Sequence, residues 1–174
     1  MFLPKTALYF LAATYGVVSA ASITDVCIVG YCTLGSGTSG GKGGETVTVA
    51  SLTALISAVA DNTPRIVVVS GTISGAAKVL VGSNKSIIGR NSGHLVGIGL
   101  FLNHSSNVII RNTIHSKVLS TYEDAITIKY STNVWIDHVD FSNDRDHDKD
   151  YYDGLVDVTR ASVSIQNSRL HKHP

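Results

Sequence analysis

Hydrophobic and polar positions change their rhythm near residue 65. Upstream, Ser51 precedes Leu52, Leu55, Ile56 and Val59, apolar at i, i+3, i+4 and i+7, which predicts one amphipathic helix capped by Ser51 and running to about Asn62. Downstream the chain breaks into short runs rich in Val and Ile: Ile66 to Val69, Val79 to Val81, Ser86 to Ile88, Leu100 to Leu102, Val108 to Ile110, Ala125 to Ile128, Val134 to Ile136, Leu155 to Val158 and Val163 to Ile165. Each reads as a strand.

The runs recur with a period. Asn84, Asn107 and Asn133 each open an apolar stretch and step by 23 and 26 residues, while Leu100, Ile126 and Val156 step by 26 and 30. Two interleaved series with a shared period mean that each turn of chain lays a strand beside its counterpart, so like stacks on like in parallel. The pattern predicts an all-β, right-handed parallel β-helix with one amino-terminal capping helix over the open first coil. The three asparagines would share one turn, where their amides bond to the rung above. A β-sandwich also offers many short strands but calls for a hairpin signal at each turn, and the one Asp-Gly pair, Asp153-Gly154, lies among acidic residues.

Composition narrows this picture. The 174 residues are 44% hydrophobic and 16% charged, enough apolar material for one packed core, and the formal net charge of +1 argues against a nucleic-acid partner. Six glycines between Gly35 and Gly44 complete no phosphate-binding pattern and read as a loop. Residues 1–20 carry Lys5, an apolar run and the small-residue sequence Val18-Ser19-Ala20, a secretory signal peptide pattern, and the run is too short to span a membrane. The division is therefore a signal peptide at 1–20 and a single domain at 21–174. In a secreted chain Cys27 and Cys32 are expected to form an intramolecular disulfide, although spacing alone leaves reduced thiols or a pairing with another chain open. Two sequons, Asn84-Lys85-Ser86 and Asn103-His104-Ser105, permit glycosylation if exposed.

The charge that matters is local. Eight of the thirteen acids (Asp137, Asp140, Asp144, Asp146, Asp148, Asp150, Asp153 and Asp157) fall in 21 residues, with Glu123 and Asp124 just upstream. Asp144, Asp146 and Asp148 imitate the start of a helix-loop-helix calcium loop, but Lys149 stands where Gly is required and Leu155 where the bidentate Glu is required. Strand alternation would send Asp153, Leu155 and Asp157 to one face. Asp124 opens the equivalent strand one coil earlier, roughly 5 Å away, and three such carboxylates suit Ca²⁺, which takes oxygen ligands. A solvated acidic loop is the alternative, and the strand pattern does not choose between them.

These strings resemble a known family. Val108-Ile-Ile-Arg-Asn112, Asp124-Ala-Ile126, Ser131-Thr-Asn-Val-Trp-Ile-Asp-His138, Asp144-Arg-Asp-His-Asp-Lys-Asp-Tyr-Tyr-Asp-Gly154 and Val156-Asp-Val-Thr159 are similar to the calcium-dependent pectate lyases, fungal type, of the pectate and pectin lyase superfamily. Similarity extends back through Val69-Ser-Gly-Thr-Ile73 and Val81-Gly-Ser-Asn84. The resemblance implies an extracellular enzyme, monomeric when complete, acting on polygalacturonate without nucleic-acid or membrane partners. It implies β-elimination from de-esterified homogalacturonan, with Ca²⁺ held by Asp124, Asp153 and Asp157 and an unprotonated Arg as base. Asp137 and His138 are expected to hold the coil together.

Several positions depart from the family pattern. Tyr122 and Glu123 replace an acid or amide and a Gly, so a fourth ligand is missing and Glu123 is the candidate to compensate. Arg160-Ala-Ser162 leads straight to Val163, a shorter connection than the family's, which is expected to shift the register of the following strand. The sequence reaches Leu170-His-Lys-His-Pro174 without the substrate-binding Lys or the R-x-P-x-x-R segment that carries the catalytic Arg. On this reading the chain is a partial pectate lyase domain with no assigned catalytic residue, and a non-catalytic calcium- and polyuronate-binding piece is the alternative. Calcium-free pectin lyases would not need the three carboxylates, and the N-T-D, D-D and G-H-G strings of galacturonan hydrolases are absent.

Overall fold

The computed structural model describes residues 22–148 and 150–173; residues 1–20, where a signal peptide is expected, lie outside the described residues. Its strands are β1 (Glu45–Val49), β2 (Arg65–Leu80), β3 (Lys85–Asn103), β4 (Ser106–Arg111), β5 (Ile114–Ser116), β6 (Ile126–Lys129), β7 (Thr132–Asp137), β8 (Asp140–Ser142), β9 (Val156–Thr159), β10 (Val163–Gln166) and β11 (Arg169–His171), with helix α1 (Leu52–Val59) between β1 and β2. All pairings between these strands are parallel, and consecutive coils stack into a right-handed β-helix. The chain holds three faces rather than the two series visible in the sequence. The first joins β1, the starts of β2 and β3, β4, β7 and β10; the second joins the middles of β2 and β3 to β5, β8 and β11; the third joins their ends to β6 and β9.

Inward side chains form columns along the axis. Register places Val47, Val67, Ile87, Ile110, Ile136 and Ile165 in one file on the first face, and Leu100, Ile126 and Val156 in one file on the third. The four middle residues of the first file are fully buried. Val163 and Ile165 pair with Val134 and Ile136, so the short Arg160-to-Ser162 connection does not shift the register, contrary to expectation. Ser162 accommodates the missing residues by donating its amide to Ser131 directly below, which fixes the turn to the previous coil. The second face escaped sequence analysis because β5, β8 and β11 have three residues each and contribute a single inward side chain, His115, Phe141 and Leu170, leaving no alternation to read. His115 is fully buried against Phe141, with ring centres 5.2 Å apart, and burial pushes its pKa down to about 3, so it is a neutral core residue.

Helix α1 covers the first coil as expected, with Ser51 accepting the Ala54 amide, but it ends at Val59 and leaves Ile56 exposed. The end is dictated by Lys85. Its fully buried ammonium donates to the carbonyls of Asp61, Thr63 and Ser83 at 2.6 to 3.0 Å and lies 3.1 Å from the Asp61 carboxylate, so residues after 60 must turn to present oxygens. The asparagine positions share a turn, all with positive φ, but only Asn107 and Asn84 bond to each other, at 2.9 Å. Asn107 also accepts from the amides of Ser39 and Gly40, and Asn133 donates to the carbonyls of Leu34 and Gly37, so the Gly-rich loop docks on this ladder. Gly40, at φ +57°, leaves no room for a side chain beside Ser86.

The first face is apolar on both sides, because its outer surface carries a second core. Ile66, Val68, Ile88, Ile109 and Trp135 pack outside the sheet against Cys27 and Cys32, which are bonded as a disulfide. Beside this layer Arg111 bonds Asp137 at 2.9 Å and Asp25 at 3.0 Å, and its guanidinium lies 4.5 Å from the centre of the Trp135 ring. Asp137 also accepts from Asn167 at 2.9 Å and meets His138 at 2.8 Å. Burial alone would raise the Asp137 carboxyl, yet the bonds from Asn167 and His138 and the Arg111 charge hold it below its usual value. Asp137 and His138 thus tie coils together, as the resemblance implied. Because the folded pKa is lowered, this stabilisation is present above the unfolded value near about 4 and drains away as pH falls through the folded value. Asp137→Ala, which takes the buried partner from Arg111 and leaves its guanidinium only the more exposed Asp25, is expected to cost about 3 kcal/mol, measured by chemical denaturation at neutral pH; a loss that is unchanged at acidic pH would contradict the assignment.

Candidate functional site

The third face presents its outward side chains to an open cleft of about 560 Å³ lined by Glu123, Asp124, Lys129, Asp153, Val156 and Asp157. All three sequence-predicted acids are there, although they arrive by a route different from the one alternation suggested. Leu155 and Val156 both pack on the core, β9 begins only at Val156, and Asp157 pairs with Thr127 on the outer side of β6. Asp153 therefore reaches the cleft from the preceding loop, not from the strand. The coil register sets Asp124 opposite Gly154, with the Ala125 amide donating to the Gly154 carbonyl. A side chain at 154 would collide with the Asp124 carboxylate, so the glycine leaves that carboxylate room to lie where it does.

Asp124 is the most enclosed of the three, 8% exposed, and accepts a hydrogen bond from Thr127 Oγ1 at 3.0 Å. Burial raises its pKa first, the Thr127 bond opposes this, and the negative charges of Asp153 and Asp157 raise it further. Asp153 accepts from its neighbour's amide at Gly154, and Asp157 from Thr159. The three carboxylates share the cleft without converging: among the described residues, no group of three acids, histidines or cysteines closes on a single point. Their chemistry nonetheless fits a hard divalent cation, since every donor is a carboxylate oxygen and the charge at Asp124 is uncompensated.

Sequence reasoning missed the basic side of the cleft. Lys78 lies 2.6 Å and Lys129 3.9 Å from Glu123, and the Lys78 bond holds the Glu123 carboxyl below its usual value despite partial burial. Glu123 is thereby engaged by two ammonium groups, which weakens its case as a substitute ligand. Alternation from Ile126 and Ile128 inward to Thr127 and Lys129 outward was the available signal. Asp144 in the acidic string has a packing role. Tyr152, buried, donates to Asp144 at 3.0 Å, and burial followed by that carboxylate pushes the phenol up to about 12. Asp144 also binds the His147 ring at 2.8 Å and the Asp146 amide, while Asp146 and Asp148 are exposed.

The fold and cleft define a right-handed parallel β-helix with an acidic groove on the outer side of one face, and the comparisons specify its family. The family described as Pectate lyase matches residues 5–174, and the chain belongs to that family. It is 55% identical over 153 residues to the probable pectate lyase A of Aspergillus fumigatus, covering 86% of this chain and 48% of that protein. It is 45% identical over 152 residues to the probable pectate lyase B of Aspergillus flavus, covering 86% and 47%. The structure superposes on pectate lyase Bsp165PelA from Bacillus sp. N165, solved in complex with trigalacturonate, with a TM-score of 0.69 and 30% identity over 85% of this chain and 56% of that one. The chain thus spans about half the length of the relatives it matches.

The electrostatic reading of Asp124 has a direct check. A raised folded pKa means that, in chelator, the folded state loses stability as pH rises from the unfolded carboxylate value through the folded one. Asp124→Asn keeps an oxygen for Thr127 and removes the repulsion, so its melting temperature in chelator at neutral pH is expected to exceed the parent's, with the difference vanishing in acid. A variant less stable than the parent under those conditions would show that repulsion does not dominate the site.

Proposed function

We propose that this chain supplies the calcium- and uronate-binding half of the active site of a secreted pectate lyase that cleaves de-esterified homogalacturonan by β-elimination. The observation that carries the reading is the cleft itself: a buried carboxylate at Asp124 whose pKa is raised by burial and by two neighbouring carboxylates, on the outer face of a solenoid belonging to the pectate lyase family. Asp124, Asp153 and Asp157 would hold Ca²⁺. When bound, Ca²⁺ would neutralise the uronate carboxylate and acidify the proton on the adjacent ring carbon. Thr127 orients Asp124, Gly154 admits it to the site, and Lys129 adds a cation at the cleft wall. The trigalacturonate in the Bacillus relative supports a polygalacturonate ligand here. The signal-peptide pattern supports secretion, and a monomer is the expected state.

One observation favours a second reading for residues 1–174 taken alone. No R-x-P-x-x-R segment is matched within them, and an Arg base needs a specific setting, because its pKa normally exceeds about 12. The 174-residue chain would then bind calcium and polyuronate without releasing product.

Calorimetric titration of calcium into the chain is expected to show saturable binding that Asp157→Ala abolishes. Gly154→Ala, which removes no carboxylate, is expected to weaken binding at least tenfold by displacing Asp124. Absence of calcium binding by the folded parent would overturn the assignment. The chemistry is read separately, as calcium-dependent release of ultraviolet-absorbing unsaturated uronides from polygalacturonate. The product is expected from a chain continued through the R-x-P-x-x-R segment and not from residues 21–174.

A further inference from the structure

The two sequons meet different fates in the fold. At the first, Asn84 donates its side-chain amide to the Asn62 carbonyl at 3.1 Å and accepts from Asn107 at 2.9 Å. Its hydroxyl partner Ser86 is 2% exposed and accepts the Gly41 amide at 2.9 Å. A glycan on Asn84 would have to break the ladder that docks the Gly-rich loop. The second sequon closes β3, where Asn103 and His104 are exposed and Ser105 turns inward to donate to the Val81 carbonyl at 2.7 Å. No hydrogen bond engages the Asn103 side chain among the described residues.

The surroundings of Asn103 form a receptive surface. Residues i and i+2 of a strand share a face, and Leu102 points into the core, so Phe101 and Asn103 both point outward. Together with Leu80, which is 62% exposed, and with His104, they line a cleft of about 420 Å³. The His104 ring is itself held in place, stacked on Tyr130 at 5.0 Å with planes 6° apart. Leu80 is exposed apolar surface in this cleft, whereas the Phe101 ring is already covered by the Lys78 ammonium, 3.9 Å from its centre, with Lys129 at 5.6 Å.

We propose that Asn103 carries an N-linked glycan whose first N-acetylglucosamine lies in the cleft beside Leu80, and that Asn84 is bare in the folded protein. In the transfer, Asn103 Nδ2 bonds to the anomeric carbon of the reducing-end sugar of a lipid-linked oligosaccharide diphosphate. The bond from that carbon to the phosphate oxygen breaks, the amide gives up one proton, and the lipid diphosphate leaves. Asn103 pairs in register with Lys129, a wall of the acidic cleft, so the glycan would stand at one end of the proposed polyuronate groove. The inference rests on the secretory reading and adds a modification to it.

The test is expression of the whole chain in a eukaryotic secretory host, with its own leader and in parallel with a heterologous leader joined before Ala21, followed by glycopeptide mapping of the secreted and retained fractions. With the heterologous leader, occupancy at Asn103 is expected, abolished by Asn103→Gln and by Ser105→Ala and unchanged by Asn84→Gln. A bare Asn103, or a glycan on Asn84 in secreted protein, overturns the site assignment. Retention of the own-leader chain in the cytosol beside a glycosylated heterologous-leader chain overturns the secretory reading and leaves the receptive geometry of Asn103 standing.

Discussion

Register between successive coils is the constraint on which everything else depends. A parallel stack places residue on residue, so a file such as Val67, Ile87, Ile110 and Ile136 is filled at each level by a side chain of nearly the same volume. A slip of one residue would turn such a file outward and bring polar side chains into the core. The same register fixes the outer surface. Asp157 faces the cleft because Val156 sits above Ile126, and Asp124 lies beside Asp153 because the coil before β9 passes over Gly154. Interior packing and cleft geometry are therefore two readouts of one alignment.

Much of this was legible in the chain. The steps from Leu100 to Ile126 to Val156 are the register found in the structure, and they bring Asp124 near Asp153 and Asp157. What could not be read has physical reasons. The second face has three-residue strands with one inward side chain, too little for a period to emerge. The break in alternation at Leu155 follows from where β9 starts, a matter of loop geometry. The end of α1 at Val59 reflects a lysine 26 residues further on, since Lys85 collects the carbonyls of Asp61 and Thr63, and a local pattern carries no trace of so distant a donor.

The cleft combines opposing electrostatic arrangements within a short distance. Glu123 is neutralised by Lys78 and Lys129, whereas its neighbour Asp124 is enclosed with two further negative groups. Adjacent residues thus serve opposite ends: one closes the strand ends by ion pairing, the other retains unsatisfied charge. Retaining such charge costs stability and is seldom tolerated outside functional sites. The lysines cover Glu123 and leave Asp124 uncovered, so the two neighbouring carboxylates sit in opposite fields.

The segment that packs outside the first face has a further consequence for the order of assembly. It begins with the disulfide loop at Cys27 and Cys32 and spans from Ile66 to Ser164, whose hydroxyl accepts the Cys32 amide across 132 positions of sequence. Coils can stack on one another as they emerge, each needing only its predecessor. This strap is different: although synthesised before any coil, it cannot be fully seated until the strand bearing Ser164 has been laid down. The segment before the first coil is thus made ahead of every coil yet reaches its final place only after the strand bearing Ser164, and it binds the first coils to that later one as a clasp rather than a foundation.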